Sequence, residues 1–138
     1  MTMKLSNEDA VRLIVGRQKT MKRVYIAGPF RAKTAWGVEQ NIRRAEESGM
    51  AVFQLGHSAF IPHANTRFFD GTLTDQFWLD ATAAWLPVSD AVLLVKGYEV
   101  SAGTKSEISI ARDLGVPVFT SIEAMDEYLR VSDAKSNP

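Results

Sequence analysis

The chain has 138 residues, of which 46% are hydrophobic and 23% are charged, and its 16 basic side chains balance its 16 acidic ones. This length and composition are typical of one folded domain with its own hydrophobic core. The even charge balance argues against a nucleic-acid polymer as partner, because a polyphosphate backbone needs a basic surface.

The residue types exclude several other classes. The absence of cysteine excludes disulfides, zinc–thiolate centres and cysteine nucleophiles. No apolar run approaches the roughly 20 residues of a membrane span, and the N-terminus lacks the apolar centre of a secretory signal, so we expect a cytoplasmic protein that binds no membrane. His57 and His63 have no thiol or carboxylate grouping that would fix a metal, and we expect neither a metal nor another cofactor.

Strand and helix patterns alternate along the chain. The 23–27 and 91–95 segments are rich in β-formers, whereas Val38, Ile42 and Ala45 recur at helical spacing. In chain order the predicted elements are a helix over about 6–17, a strand over 23–27, a helix over 34–48 ended by Gly49, a strand over 50–53, an irregular segment over 56–71, a helix over 74–86, a strand over 91–95, a helix over 101–114, a short edge strand over 116–119 and a helix over 120–131.

The alternation predicts an α/β fold, a three-layer Rossmann-like (flavodoxin-like) parallel sheet of four to five strands with helices on both faces. A single domain is expected over 21–131. Residues 1–20 are interpreted as an N-terminal helical extension or an upstream start, and 132–138 as a frayed polar tail. A cleft is expected where the first and third strands end, because the strand order reverses there, and this would bring the 28–33 and 101–104 turns together.

The turn and helix over 101–107 contain the first candidate for chemistry. Glu107, Ala111 and Leu114 are spaced i, i+4 and i+7 and so share a helix face, and the two apolar residues place the carboxylate near the buried side. A carboxylate in such a position can act as nucleophile or acid/base. Thr104 and Glu107 also match a capping box, in which both side chains satisfy free backbone donors, and the residues alone leave both interpretations open.

The turn over 28–34 resembles a phosphate-binding P-loop but is one residue too short and has Ala32 at the second glycine position, so we exclude an ATPase. No GxGxxG follows the first strand, which argues against a dinucleotide fold. Backbone donors together with Arg31 and Lys33 suit a single phosphate, although a solvated surface turn fits the same residues.

The irregular middle segment has residues suited to a ligand. Its length and aromatic content are typical of a functional loop. His63 and Asn65 offer hydrogen bonds to a base or sugar. Phe30, Phe68 and Phe69 are candidates for stacking on a base, or alternatively for filling the core.

Three segments in order, 25–31 (YIAGPFR), 89–92 (SDAV) and 101–107 (SAGTKSE), resemble the nucleoside 2-deoxyribosyltransferase family, whose superfamily includes the 2′-deoxynucleoside 5′-phosphate N-hydrolases. The resemblance covers about residues 23–119. It implies that Glu107 is a nucleophile that attacks the anomeric carbon, releases the base and forms a glycosyl ester. It also implies a homodimer or higher homo-oligomer, because family sites are completed by a neighbouring subunit, and the aromatic residues of the middle segment would suit that interface.

The resemblance also implies a substrate. Ser101 and Arg31 match the phosphate-requiring hydrolases, whereas transferases that act on free nucleosides tend to have aspartate at the serine position. We therefore expect cleavage of the N-glycosidic bond of a nucleoside 5′-monophosphate, with base exchange between nucleosides or a non-catalytic nucleotide-binding module as alternatives. The expected substrate-binding residues are Tyr25, Gly28, Phe30, Arg31, His63, Asn65, Ser101 and Gly103.

One position departs from the family pattern. The acid/base aspartate that usually lies eight residues before the position of Asp90 is replaced by Thr82. Asp80 is the expected substitute, although two helical residues turn its side chain through about 200°. Asp75 and His63 are the alternatives for protonating the leaving base, and the last alternative is that the site has no such acid.

Overall fold

The computed structural model describes residues 6–12 and 21–136. Residues 7–12 are helical, with the Ser6 hydroxyl accepting from the Asp9 backbone N–H at 3.1 Å. The remainder of the predicted helix over about 6–17 lies outside the described residues. Among the described residues, no helix is both long enough and apolar enough to cross a bilayer.

The centre of the fold is a sheet of four parallel strands in the order β2-β1-β3-β4. The strands are β1 (Arg23–Ala27), β2 (Ser58–Phe60), β3 (Ala91–Leu94) and β4 (Val118–Phe119). The α/β class with a parallel sheet is confirmed. Because the chain passes from β1 to β2 and then back across β1 to β3, the strand order reverses between β1 and β3, where a ligand cleft is expected.

Five α-helices connect or follow the strands. They are α1 (Ala35–Gln54), α2 (Pro62–Asn65), α3 (Asp75–Ala83), α4 (Ala102–Asp113) and α5 (Ile122–Ser136), with 3₁₀ turns at Leu86–Val88 and Tyr98–Val100.

The sheet is buried on both faces because alternate residues of β1 point in opposite directions. Val24 and Ile26 pack with side chains of α1 and α5, among them Met125. Tyr25 and Ala27 pack on the opposite face with a cluster that includes Ala111 of α4. The predicted three-layer arrangement follows from this alternation, and it directs Tyr25 toward α4.

The predicted strand over 50–53 is wrong. These residues continue α1 through Gln54, and the second strand lies at Ser58–Phe60, inside the segment that was expected to be irregular. The buried residues of α1 are Ile42, Ala45, Gly49 and Val52, which recur at helical spacing. Gly49 does not end the helix. A Cβ at this position would collide with Ile61 Cδ1, so the glycine lets α1 pack closely against the segment after β2.

Other boundaries differ less. The helix expected over 74–86 ends at Ala83, and Pro87 lies in a separate 3₁₀ turn. The fourth strand is reduced to two residues and lies at the sheet edge, as Pro117 indicated. Helix α5 continues through Ser136, into the segment that was expected to be a frayed tail.

Candidate functional site

A cavity of about 530 Å³ lies at the carboxyl ends of β1 and β3. It is lined by the loop after β1, by α2, by α3 with the segment before it, and by the start of α4. The predicted cleft is therefore present. The 28–31 and 101–104 turns, which are far apart in the sequence, both contribute to it.

Glu107 lines the cavity although its residue is only 8% exposed. The Tyr25 hydroxyl donates a hydrogen bond to its Oε2. Burial raises the pKa of the Glu107 carboxyl from its ordinary 4.5 to about 7, and the Tyr25 hydrogen bond opposes that rise. A carboxyl group with this pKa exchanges between acid and carboxylate near neutral pH, which suits a nucleophile or an acid/base.

Tyr25 does not line the cavity and lies beneath Glu107. Its residue is fully buried, and its ring centroid is 5.6 Å from that of Phe60. Burial, followed by the charge of Glu107 and the hydrogen bond to it, raises the pKa of the phenol far above its ordinary value, so Tyr25 remains a donor. The sequence resemblance gave Tyr25 as a substrate-binding residue. The structure places it where it can orient the carboxylate.

The start of α4 is capped differently from the predicted capping box. Ser101 is the N-cap, and its Oγ accepts from the Thr104 backbone N–H at 3.2 Å and from Thr104 Oγ1 at 2.8 Å. Glu107 bonds to Tyr25 instead of the helix terminus, so its interpretation as a capping residue is wrong. Because Ser101 Oγ accepts twice, its own proton can be donated to a ligand. Gly103 lines the cavity within the first turn, where backbone N–H groups favour a negatively polarised atom.

His63 holds the first loop in place. It is buried, and its Nε2 lies 3.0 Å from both the Gly28 and the Pro29 carbonyl oxygens. Since both partners are acceptors, Nε2 carries the proton and Nδ1 carries a lone pair. Burial lowers the pKa of the ring, so the imidazole is neutral. The Nδ1 atom is buried with no hydrogen-bond partner among the described residues. Phe30 lines the cavity with its ring centroid 6.0 Å from that of His63.

Arg31 lines the cavity mouth and is paired with two carboxylates. Its guanidinium donates to Asp70 Oδ1 at 2.8 Å and to Asp75 Oδ1. The hydrogen bond that Arg31 donates to Asp70 is the largest of the effects that raise the pKa of Arg31. The cation expected to be available for a phosphate is therefore engaged by two anionic partners. Asp70 was missed by the sequence analysis, although an acid in the middle loop opposite a basic first loop is a signal for such a pair.

Besides Tyr25, two further predicted residues lie outside the cavity lining. Asp80 is exposed and accepts a hydrogen bond from Gln76 Nε2 at 2.8 Å. Asn65 is exposed at the end of α2. Thr82 does line the cavity, and its hydroxyl donates to the Trp78 and Leu79 carbonyl oxygens at 3.0 and 3.1 Å. Position 82, where the nucleoside 2-deoxyribosyltransferase pattern has an aspartate, therefore lies inside the site, but the threonine side chain cannot ionise.

The aromatic residues of the middle region divide between the cavity and the surface. Trp78, which sequence analysis did not place at the site, lines the cavity, and its ring centroid lies 5.8 Å from that of Phe69. Phe68 and Phe69 are 82% and 51% exposed. That a second subunit covers them stays a prediction. Across the described residues, no three His, Cys, Asp or Glu side chains converge to hold a metal ion.

The comparison with protein families identifies the chain. A family model described as a Domain of unknown function (DUF7768) matches residues 22–121. The chain belongs to the DUF7768 family. The matched range includes the whole cavity lining, from Gly28 to Glu107. A search of curated proteins finds no significant match.

The DUF7768 domain shares its fold with a solved 2-deoxyribosyltransferase from the psychrotolerant bacterium Bacillus psychrosaccharolyticus. The TM-score is 0.54, and the sequences are 19% identical over 70% of this chain and 69% of the other chain. At this identity the likeness shows a common α/β fold, which the sequence resemblance had implied.

Proposed function

We propose that this domain cleaves the N-glycosidic bond of a nucleoside-type substrate, with Glu107 as nucleophile. The proposal depends on the observation that the buried Glu107 carboxylate faces the cavity and accepts a hydrogen bond from Tyr25. Burial raises the pKa of this carboxyl to about 7. The fold shared with a 2-deoxyribosyltransferase supports the same chemistry.

The cavity suits such a substrate in size and composition. A volume of about 530 Å³ lies within the range of about 300–1,000 Å³ typical of small-molecule sites. Phe30 and Trp78 offer aromatic surface to a base, whereas Ser101 and the first turn of α4 offer donors to sugar oxygens or a phosphate.

The proposed reaction has two steps. A Glu107 carboxylate oxygen attacks the anomeric carbon, the bond from that carbon to the base nitrogen breaks, and a glycosyl ester forms. Water then attacks the same carbon, releases the sugar, restores the carboxylate and gives up one proton, which balances the proton that the departed base takes up. Tyr25 donates to Oε2 and orients the carboxylate. A transferase would use a second base in place of water in the second step.

Two observations give opposite indications of whether the substrate carries a 5′-phosphate. The Ser101 proton supports a phosphate-bearing substrate, as the sequence resemblance did. The pairing of Arg31 with Asp70 and Asp75 opposes it, because a phosphate would have to displace one carboxylate and remain beside the other. If a phosphate does bind Arg31, Asp70→Asn should increase turnover of monophosphates relative to nucleosides. An unchanged ratio would exclude Arg31 as the phosphate ligand.

The decisive experiment is a base-release assay. The purified protein is incubated with ribo- and deoxyribonucleosides and their 5′-monophosphates, with and without an acceptor base, and free base and new nucleosides are separated by chromatography. We expect base release that Glu107→Gln abolishes. Glu127→Gln, which changes an exposed carboxylate on α5, is the matched control and should retain full turnover. Equal turnover in the Glu107→Gln variant would refute the proposal.

Thr82 favours a second candidate, a nucleotide-binding module without turnover. Its hydroxyl donates to backbone carbonyl oxygens, so the site lacks the acid that the resemblance to nucleoside 2-deoxyribosyltransferases implies at this position. Calorimetric binding of a nucleotide without base release, even at high protein concentration, would support this candidate.

A further inference from the structure

The charged groups around the cavity show how a leaving base could be protonated. Besides Glu107, the ionisable side chains that line it in the described part of the chain are Arg31, His63, Asp70 and Asp75. His63 already donates its Nε2 proton to two carbonyl oxygens, and burial keeps the ring neutral. Asp70 and Asp75 accept from the Arg31 guanidinium. None of the four is arranged to give a proton to a base nitrogen.

Position 82, where the sequence resemblance implies an acid, is occupied by a threonine that lines the cavity. Thr82 faces the cavity and interacts with the Tyr25 hydroxyl, which also donates to Glu107. A threonine hydroxyl at this position is neutral and directs its proton to the Trp78 and Leu79 carbonyl oxygens. A neutral base would then have to depart as an anion, whereas a positioned general acid typically accelerates such a step about 10²–10⁴-fold.

The electrostatics of the cavity point to a different kind of leaving group. The two aspartates exceed the single guanidinium at the mouth by one negative charge, and ionised Glu107 adds another inside. Trp78 and Phe30 present aromatic rings, whose faces attract cations. A positively charged base would therefore be favoured both by the net charge and by the aromatic lining.

We propose that the substrates of this cavity are nucleosides whose base carries a positive charge, as in N7-alkylated purine nucleosides. This inference rests on the proposed glycosidic cleavage. When Glu107 attacks the anomeric carbon, the electron pair of the breaking C1′–N9 bond neutralises the cationic base, which departs without a proton. Water then hydrolyses the glycosyl ester, and one proton is released to solvent. No acid, metal or redox partner is required.

The test compares 7-methylguanosine and 7-methyl-2′-deoxyguanosine with their unmethylated parents slightly below neutral pH, where the methylated ring is cationic. Base release is corrected for the spontaneous loss measured without protein. We expect kcat/KM to favour the methylated nucleosides by about 100-fold or more. Thr82→Asp, which introduces an acid, should increase cleavage of the unmethylated parents and reduce this preference. Thr82→Val, which introduces none, should preserve it.

The outcomes separate this inference from the proposed function. Equal kcat/KM for methylated and unmethylated substrates would overturn the preference for a cationic base while leaving Glu107 chemistry intact. No release from any substrate would overturn both. A binding measurement with the Glu107→Gln variant adds a readout without turnover. We expect 7-methylguanosine to bind more tightly than guanosine and Asp75→Asn to reduce the difference, and equal affinities would contradict the charge argument.

Discussion

The clearest consequence of the site concerns stability, because a buried carboxyl that must ionise for catalysis destabilises the folded chain. Glu107→Gln keeps the shape and the acceptor oxygen for Tyr25 but cannot become charged. We therefore expect the variant to lose turnover and to be more stable than the unmodified protein at alkaline pH. The gain should depend on pH, because only the ionised carboxylate is penalised by burial.

The size of the effect follows from the two pKa values. Glu107 titrates at 4.5 ordinarily and at about 7 when folded. A folded pKa above the unfolded one gives stability that is full below pH 4.5 and is lost as the pH rises toward about 7. The complete difference corresponds to about 3 kcal/mol at about 1.36 kcal/mol per pKa unit. Between about pH 5.5 and 8.5 the ionisation of Glu107 should lower the free energy of unfolding of the protein by about 2 kcal/mol. The Glu107→Gln variant should show no such decrease.

The assay is urea or thermal unfolding of both proteins at about pH 5.5 and 8.5. A change of 2 kcal/mol corresponds to roughly 4–10 °C in Tm for a domain of this size. Groups shared by both proteins, including the His57–Asp126 pair, cancel in the difference. Glu127→Gln serves as control and should follow the unmodified protein at both pH values. A Glu107→Gln difference that does not change between the two pH values would show that burial does not raise the pKa of Glu107.

Three further predictions concern the same site. Base release should rise with pH along an acid limb near pH 7, because attack requires ionised Glu107, and a flat profile between pH 5.5 and 8 would contradict this. Tyr25→Phe removes a hydrogen bond that lowers the pKa of Glu107, so the limb should move to higher pH; a shift to lower pH would count against the assigned donor. In Gly28→Ala the new Cβ would lie 2.6 Å from Val95 Cβ, so unfolding should show a loss of about 1–3 kcal/mol. The control Gly103→Ala, whose Cβ would lie 4.0 Å from its nearest neighbour in the first turn of α4, should be neutral or stabilising.

The sequence predicted those parts of the fold that local patterns determine. Buried runs of β-formers marked β1 and β3, and the glycine and serine turns after them marked the cleft. The strand predicted over 50–53 is wrong because of a tertiary packing contact. Gly49 is typical of a helix end, but here it allows α1 to approach Ile61, and this contact is not visible in a local window. Residues 50–54 therefore extend the helix.

Site residues could be predicted where the spacing along one helix was enough to place them. They could not be predicted where the site depends on contacts between segments far apart in the sequence. Glu107 was found from its spacing to Ala111 and Leu114; Glu107 and Ala111 are buried as expected, whereas Leu114 lies past the end of α4 and is exposed. Tyr25, the partner of Glu107, lies 82 positions away, so the hydrogen bond depends on the register between β1 and α4. Likewise, the basic first loop was identified, but its two aspartate partners lie 39 and 44 positions from Arg31 and depend on how the middle segment folds back.

Thr82 affects both the ionisation of the nucleophile Glu107 and the departure of the base in the proposed reaction. A carboxylate at this position would lie beside the Tyr25 hydroxyl that donates to Glu107, and a like charge there would raise the pKa of Glu107 above about 7. Threonine thus leaves more of the nucleophile ionised at neutral pH while removing the acid that assists departure. Only a base that departs without a proton benefits from that exchange. In Thr82→Asp we therefore expect the acid limb of the pH–rate profile to move to higher pH while unmethylated nucleosides become better substrates. An unmoved limb would show that position 82 does not interact with Glu107.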